Sequence, residues 1–274
     1  MLVPLAVCAT PIGNLEDVTL RVLAELREAD VVLCEDTRHT GVLLDRYGIA
    51  ASGRLLSYHA HNEVARTDEL LPRLAAGERM ALVSDAGLPG VNDPGGRLVA
   101  AALERGVPVT VLPGPSAVET ALVASGLAGD QYRFLGYLPR RETERRALWD
   151  ELRRLQHPAV GFESPKRLPG TLRSLAAAFP DRRVAVCREL TKRFEEVVRG
   201  TAFALAASFA EAPKGEITLV IDGAPPDTMH LASLDTAVAA VLELIEAGLP
   251  RRRAVDLIAT LAGQPRNALY AASL

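Results

Sequence analysis

The chain reads as an α/β protein of two domains with mixed, largely parallel sheets, followed by a small helical tail. Three observations predict this. Short β-rich runs alternate with amphipathic segments along most of the sequence, which is the signature of βαβ units. Two prolines and a glycine at Pro113-Gly114-Pro115 interrupt that alternation. Beyond Asp222 the alternation stops and only helical spacing remains.

Taken in order, strands are predicted at Leu5–Thr10, Val31–Cys34, Leu55–Tyr58, Met80–Ser84 and Val107–Leu112. Short apolar runs bounded by turn residues suit strands buried on both faces. Amphipathic helices fall between them at Leu20–Arg27, Glu63–Ala75 and Arg97–Glu104. A second domain begins with a helix at Ser116–Ala124 and continues with a strand leading into Gly136, then strands at Ala159–Glu163, Val184–Arg188 and Ile217–Ile221. Its other helices are predicted at Thr143–Leu155 and Arg167–Ala178. The expected boundaries are 1–113 and 114–222 for the α/β domains, 223–232 for a Gly/Pro-containing linker and 233–274 for the tail. In the tail, Ala237, Val238, Val241, Leu242 and Ile245 recur at helical spacing, and Gly248 and Pro250 mark a stop and a start. Ala254, Val255, Ile258 and Leu261 line a second helix, and Asn267–Ser273 form a third after the Gly263-Gln264-Pro265 turn. This pattern suits a helix-turn-helix unit or a plain helical hairpin.

With 274 residues, 49% of them hydrophobic, the chain can bury a sizeable core. A net charge of −3 argues against a generally basic coat for nucleic acid but leaves room for local basic faces. Arginines cluster at Arg140, Arg141, Arg145 and Arg146, where Glu142 and Glu144 dilute them, and again at Arg251–Arg253. Aromatics are scarce, at 4%, which weakens any picture of a broad stacking platform. Cys8, Cys34 and Cys187 each lie in a predicted strand without metal or redox spacing, so reduced core thiols are expected. No leader pattern and no run of membrane-spanning length are present, and a cytoplasmic location is expected.

The stretch Met80–Gly95 is the strongest candidate for a ligand loop. An apolar run ends in Ser84-Asp85-Ala86-Gly87, and a second turn, Asp93-Pro94-Gly95, precedes a helix. Open α/β sheets bind ligands at the carboxyl ends of their strands, and glycine lets a ligand approach the backbone. The first strand runs into Thr10-Pro11-Ile12-Gly13-Asn14, with Asp17 or Thr19 positioned to cap the next helix. Neither a Walker loop nor GxGxxG occurs, so nothing supports a nucleoside triphosphate or nicotinamide cofactor. The second strand ends in Glu35-Asp36-Thr37-Arg38-His39-Thr40, either a site wall or a capping cluster with its charges paired. Ser57-Tyr58-His59-Ala60-His61-Asn62 repeats the pattern, with Asn62 a candidate N-cap. No metal site is expected, because His59 and His61 lack further ligands at suitable spacing. Glu163 and Glu189 close strands, where a carboxylate is a general base or, more commonly, a structural hydrogen-bond partner.

Together these segments resemble a known family. ATPIGNLEDVTLR, EDTRHT, SYHAHNE, SDAGLPGVNDPG, PGPSA, GYLPR, FESPKR, RELTKRFEE and KGEI stand in the order found in the ribosomal RNA small subunit methyltransferase I family, of the tetrapyrrole-methylase-like superfamily. Leu88, Val91-Asn92 and Phe162 stand where threonine, Ile-Ser and tyrosine are usual. The resemblance implies a non-Rossmann, two-domain fold that binds S-adenosylmethionine, a homodimer, and 2′-O-methylation of a cytidine ribose in the decoding region of 16S ribosomal RNA of the small ribosomal subunit. It puts cofactor contacts on Pro11, Ser84, Asp85, Ala86, Leu88, Ser116, Ala117 and Phe162, with Gly215 and Glu216 near the adenosine. Base candidates are Glu35, Asp36, His59 and Glu163, and RNA contacts are expected at Arg38, Arg140, Lys166, Arg251, Arg252 and Arg253. Alternatives are a methyltransferase acting on a tetrapyrrole or corrin precursor, and a non-catalytic RNA-binding ribosome factor.

Overall fold

Five apolar runs form the first sheet: β1 (Leu5–Cys8), β2 (Val31–Cys34), β3 (Leu55–Ser57), β4 (Met80–Val83) and β5 (Val109–Leu112). They are ordered β3-β2-β4-β1-β5, and every pairing is parallel. β1, β2 and β4 are buried at every residue, because successive side chains feed cores on opposite faces. Ala6, Cys8, Val32, Cys34, Ala81 and Val83 pack with α1 (Leu20–Glu28) and α2 (Thr37–Arg46). Leu5, Val7, Leu33, Met80 and Leu82 face α3 (Glu63–Ala75) and α4 (Gly96–Glu104). The computed structural model describes residues 3–225 and 234–274.

The second sheet comprises β6 (Arg133–Tyr137), β7 (Ala159–Glu163), β8 (Arg183–Arg188), β9 (Glu196–Thr201) and β10 (Ile217–Ile221), ordered β6-β7-β10-β8-β9. β6 and β7 are parallel, and the remaining pairings are antiparallel. Val118, Ala121 and Leu122 of α5 (Ala117–Ser125) cover one face with Val160, Ala185, Cys187 and Val220. Helices α6 (Glu142–Leu152), α7 (Leu168–Ala178) and α8 (Ala202–Ser208) complete this half, and the Trp149 indole N–H donates to Ser174 at 2.9 Å between α6 and α7. β9 is absent from the sequence expectation. It is an edge strand whose half-exposed residues carry no apolar run. Just past the paired ends of β1 and β5 the two segments run close together, and a Cβ on Gly114 would lie 2.9 Å from that of Ala9.

All three cysteines are buried and free, and burial pushes the Cys34 and Cys187 thiols up to about 11, as suits inert core residues. Thr19 caps α1, accepting the Val22 N–H at 3.2 Å. Asn62 occupies the N-cap position of α3 but does not cap it. Its carboxamide oxygen turns back to accept the His59 N–H at 2.8 Å.

By its contacts the chain divides into two compact units. The larger runs through Arg153 and from His157 to Asp222; the smaller joins Arg154–Gln156 to the described residues from Gly223 on. The smaller unit holds α9 (Leu234–Glu246), α10 (Arg251–Ala262) and α11 (Arg266–Ala272), which pack on one another around Ala237, Val241, Ala254, Val255, Ala262 and Leu269. Leu242 and Leu261, expected in its apolar stripes, are exposed; Ala262 and Leu269 are buried instead. Most of the predicted linker, residues 226–232, lies outside the described residues. Among the described residues no helix is long and apolar enough to cross a membrane.

Candidate active site at the carboxyl edge of the first sheet

Parallel pairing puts the carboxyl ends of β3, β2, β4, β1 and β5 along one edge, and the predicted residues follow in that order. His59 follows β3, Glu35 and Asp36 follow β2, Ser84–Ala86 follow β4, Pro11 follows β1, and Ser116 lies beyond β5. Two of these loops are tied together. The Thr10 N–H donates to the Gly87 carbonyl at 2.8 Å, and the Gly87 N–H returns to the Thr10 carbonyl at 3.1 Å. Thr10 Oγ1 donates to the Ser84 carbonyl at 3.0 Å, and the Ser84 hydroxyl to the Gly87 carbonyl at 3.2 Å. The Ser84 hydroxyl thus helps to hold the loop, and Leu88 packs against the core. Thr10, Pro11, Ser84 and Asp85 line a small pocket with His39 and Thr40.

The acids at this edge divide into two kinds. Asp36 caps α2, accepting the Arg38 N–H at 2.8 Å, and its carboxylate pairs with the Arg38 guanidinium at 2.7 Å. Those bonds hold it well below the usual carboxylate range. Arg38 itself is 90% exposed at its side chain. Glu35 has no such cation. Burial, with the carboxylates of Asp93 and Asp85 nearby, pushes it up to about 7. Burial pushes Asp93 up to about 6; the Ser84 hydroxyl opposes the rise and Asp85 adds to it. Asp85 Oδ1 accepts the Asp36 N–H at 3.3 Å and stands 3.8 Å from His39 Nδ1. A half-buried acid kept near neutrality among other acids can accept a proton or face a cation.

His59 carries a buried Nδ1 without a hydrogen-bond partner, while Nε2 lies 3.3 Å from the Asn62 amide. Its ring stands edge-on to His61 at 5.9 Å, and among the described residues no cluster able to hold a metal forms. Glu163 is taken up entirely by structure. Its side chain is 0% exposed and pairs with Arg167 at 2.8 Å. It also accepts the Ser164 N–H at 2.6 Å and the Thr171 hydroxyl. Ser116 donates its hydroxyl to Glu119 and makes no cap bond to α5.

Ala117 and Phe162 join one apolar cluster with Ile12 of the first loop, so residues from both halves meet there. Gly215 and Glu216 precede β10. Because β10 runs antiparallel, its amino end lies beside the carboxyl ends of β7 and β8. The Glu216 N–H donates to Glu189 Oε1 at 2.9 Å, and Lys192 Nζ bridges Glu189 at 3.2 Å and Glu216 at 3.0 Å. A Cβ on Gly215, whose φ is +94°, would meet Glu189 Cγ at 2.3 Å, so only glycine fits. Asn14 N–H donates to Thr191 Oγ1 at 3.0 Å, linking this loop to the first half.

Sequence reading missed Asp93, which passed as a turn residue, and Glu63, whose Oε1 accepts the Gly95 N–H at 3.1 Å and the Tyr58 hydroxyl at 3.3 Å. The Glu189–Lys192 loop was singled out for its carboxylate, but not for its backbone, where Glu189 and Thr191 hold φ of 51° and 63°. Such values are uncommon for any residue but glycine, above all for a β-branched one. Arg140 and Lys166 are exposed in the larger unit. In the smaller unit Arg252 and Arg253 are exposed and Arg251 is half-buried at the start of α10, while Arg266 pairs with Asp256.

Residues 4–206 match the family model for Tetrapyrrole (Corrin/Porphyrin) Methylases. The chain is 40% identical to ribosomal RNA small subunit methyltransferase I of Halalkalibacterium halodurans over 96% of this chain and 91% of that one. It is 45% identical to the protein of the same name from Micromonospora olivasterospora, over 95% and 83%. A uroporphyrin-III C-methyltransferase from Thermus thermophilus, solved with S-adenosyl homocysteine, superposes with a TM-score of 0.54 at 21% identity over 79% of this chain and 96% of that one, a likeness of fold. The chain is thus an S-adenosylmethionine-dependent methyltransferase of tetrapyrrole methylase fold and belongs to the ribosomal RNA small subunit methyltransferase I family.

Proposed function

We propose that this protein methylates the 2′-hydroxyl of a cytidine in the decoding region of 16S ribosomal RNA, acting on the small ribosomal subunit as a cytoplasmic homodimer. The observation that carries the chemistry is Glu35, an acid held near 7 beside Asp85 and Asp93. S-adenosylmethionine, when bound, supplies a methyl group on a cationic sulfur. The residues present fit that group: acids faced by no paired cation suit its positive charge, and the uncapped start of α5 suits its carboxylate. In this reading Glu35 accepts the ribose hydroxyl proton, a role typically worth ~10²–10⁴-fold in rate. Asp85 faces the cofactor, and Pro11, Ala86, Ala117 and Phe162 shape its pocket. Asp36 and Glu163, engaged by Arg38 and Arg167, support the loops rather than move the proton.

The direct test is incubation of the protein and labelled S-adenosylmethionine with small ribosomal subunits lacking the modification, naked 16S RNA and a tetrapyrrole precursor. Label in RNA, at a ribose, is the expected result. Label in the tetrapyrrole alone would overturn the substrate, and no measurable cofactor affinity would favour a non-catalytic RNA-binding factor. Light scattering at micromolar concentration tests the homodimer.

Asp85→Ala should lower S-adenosylmethionine affinity tenfold to hundredfold, the loss of a charge-assisted contact of roughly 1.5–3 kcal/mol. Unchanged affinity by calorimetry in a folded variant would remove Asp85 from the cofactor site. For the tail, we propose RNA docking. Arg251, Arg252 and Arg253 sit at the amino end of α10, where the helix dipole is unfavourable to cations and favourable to anions. Replacing the three with alanine should weaken subunit binding and flatten its salt dependence while leaving cofactor affinity intact. Wild-type methylation by the triple variant, at limiting subunits and elevated salt, would make the tail purely structural.

A further inference from the structure

We propose that Tyr137 is the stacking platform for the base of the methylated nucleotide, carried to the mouth of the site by a bulge in β6 beside Phe162 and the Asn92–Asp93 turn. This rests on the reading of the protein as an RNA 2′-O-methyltransferase and adds the residue that holds the base. Residues three apart on a regular strand point to opposite faces. Between Phe134 and Tyr137 the register with β7 shifts, and Gly136 takes a φ of 64°. The shift returns Tyr137 to the face of Phe134, so both rings stand edge-on to Phe162, at 5.3 and 5.5 Å. A bulge that re-aims a side chain next to a site is a recurrent device.

Gly136 serves a second purpose. A Cβ there would lie 3.1 Å from Asn92 Oδ1, so the turn after β4 rests directly on the bulge. The next residue, Asp93, is within electrostatic reach of Glu35. The bulge that carries the ring is therefore tied to both halves of the site. Phe134 and Phe162 are half-buried, whereas Tyr137 is 68% exposed in a chain with few aromatics. Reaching a 2′-hydroxyl in structured RNA requires splaying the nucleotide out of its stack, and an aromatic face offsets the lost stacking. One ring at the site mouth does this without an aromatic surface, and Arg140, three residues on, is exposed as a cation for a backbone phosphate would need to be.

The test measures methyl transfer to small ribosomal subunits lacking the modification, at saturating S-adenosylmethionine, with calorimetry of cofactor binding alongside. Tyr137→Leu should lower kcat/KM for subunits roughly tenfold to hundredfold, the range for losing one stacked base. Tyr137→Phe and Tyr137→Trp should stay within about threefold of the unaltered protein, and all three should bind the cofactor equally well. A leucine variant with unaltered kcat/KM overturns the proposal. So does a loss of cofactor affinity that matches the loss of turnover, or a failure of phenylalanine to rescue. Absence of transfer by the unaltered protein would instead overturn the RNA reading and this proposal with it.

Discussion

Glu35→Gln should lower kcat on small ribosomal subunits by roughly 10²–10⁴-fold while leaving the fold and S-adenosylmethionine affinity within a few-fold of the unaltered protein. The amide keeps the shape but accepts no proton. The pH dependence supplies a second check. With Glu35 near 7 in the free protein, kcat/KM should rise with pH through about 7 and the variant should lose that limb. Stability should move the opposite way. The folded-state value lies above the ordinary 4.5, so between about 4.5 and about 7 the folded protein holds a proton that the unfolded chain has released. Stability therefore falls as pH rises through that window. Glu35→Gln should remove the fall and raise Tm at neutral pH, the trade expected where like charges are gathered for function. A variant with wild-type kcat, or with an unchanged pH profile, would take Glu35 out of the chemistry.

Glu163→Ala should be the most destabilising single change among the base candidates. The carboxylate is fully buried, and its loss leaves the Arg167 guanidinium without a counter-charge, held only by the Leu138 and Pro139 carbonyls, and takes the acceptor from the Thr171 hydroxyl and the Ser164 N–H. Breaking a buried pair from one side costs about 3–5 kcal/mol, which corresponds to a fall in Tm of roughly 6–20 °C for a domain of this size. Thermal denaturation measures it directly. A folded Glu163→Ala protein with unchanged Tm and abolished methyl transfer would return Glu163 to the list of bases.

The central strands were legible because β1, β2, β4, β7 and β10 are short apolar runs between turn residues, a pattern set by burial on both faces. β9 was not, since an edge strand with half-exposed residues keeps no such pattern. The direction of a strand is equally hidden. Nothing in Ile217–Ile221 says that it runs antiparallel to β7, yet that direction brings Gly215 and Glu216 to the edge where the other strands end. Tyr137 was legible only as part of a motif, because the bulge that turns its ring depends on Gly136 meeting Asn92 from the other half.

The sequence by itself determined the α/β class, the helices that follow β10 and the loops in which the acids and glycines of the site lie. These follow from local patterns: apolar periodicity, turn chemistry and the order of motifs. Only the tertiary structure decided which acids remain available. Asp36 and Glu163 look as reactive as Glu35 in the chain, but Arg38 and Arg167 claim them, whereas Asp85 and Asp93 crowd Glu35 through space. Desolvation and charge–charge interaction depend on distance in the fold, which separation along the chain does not encode.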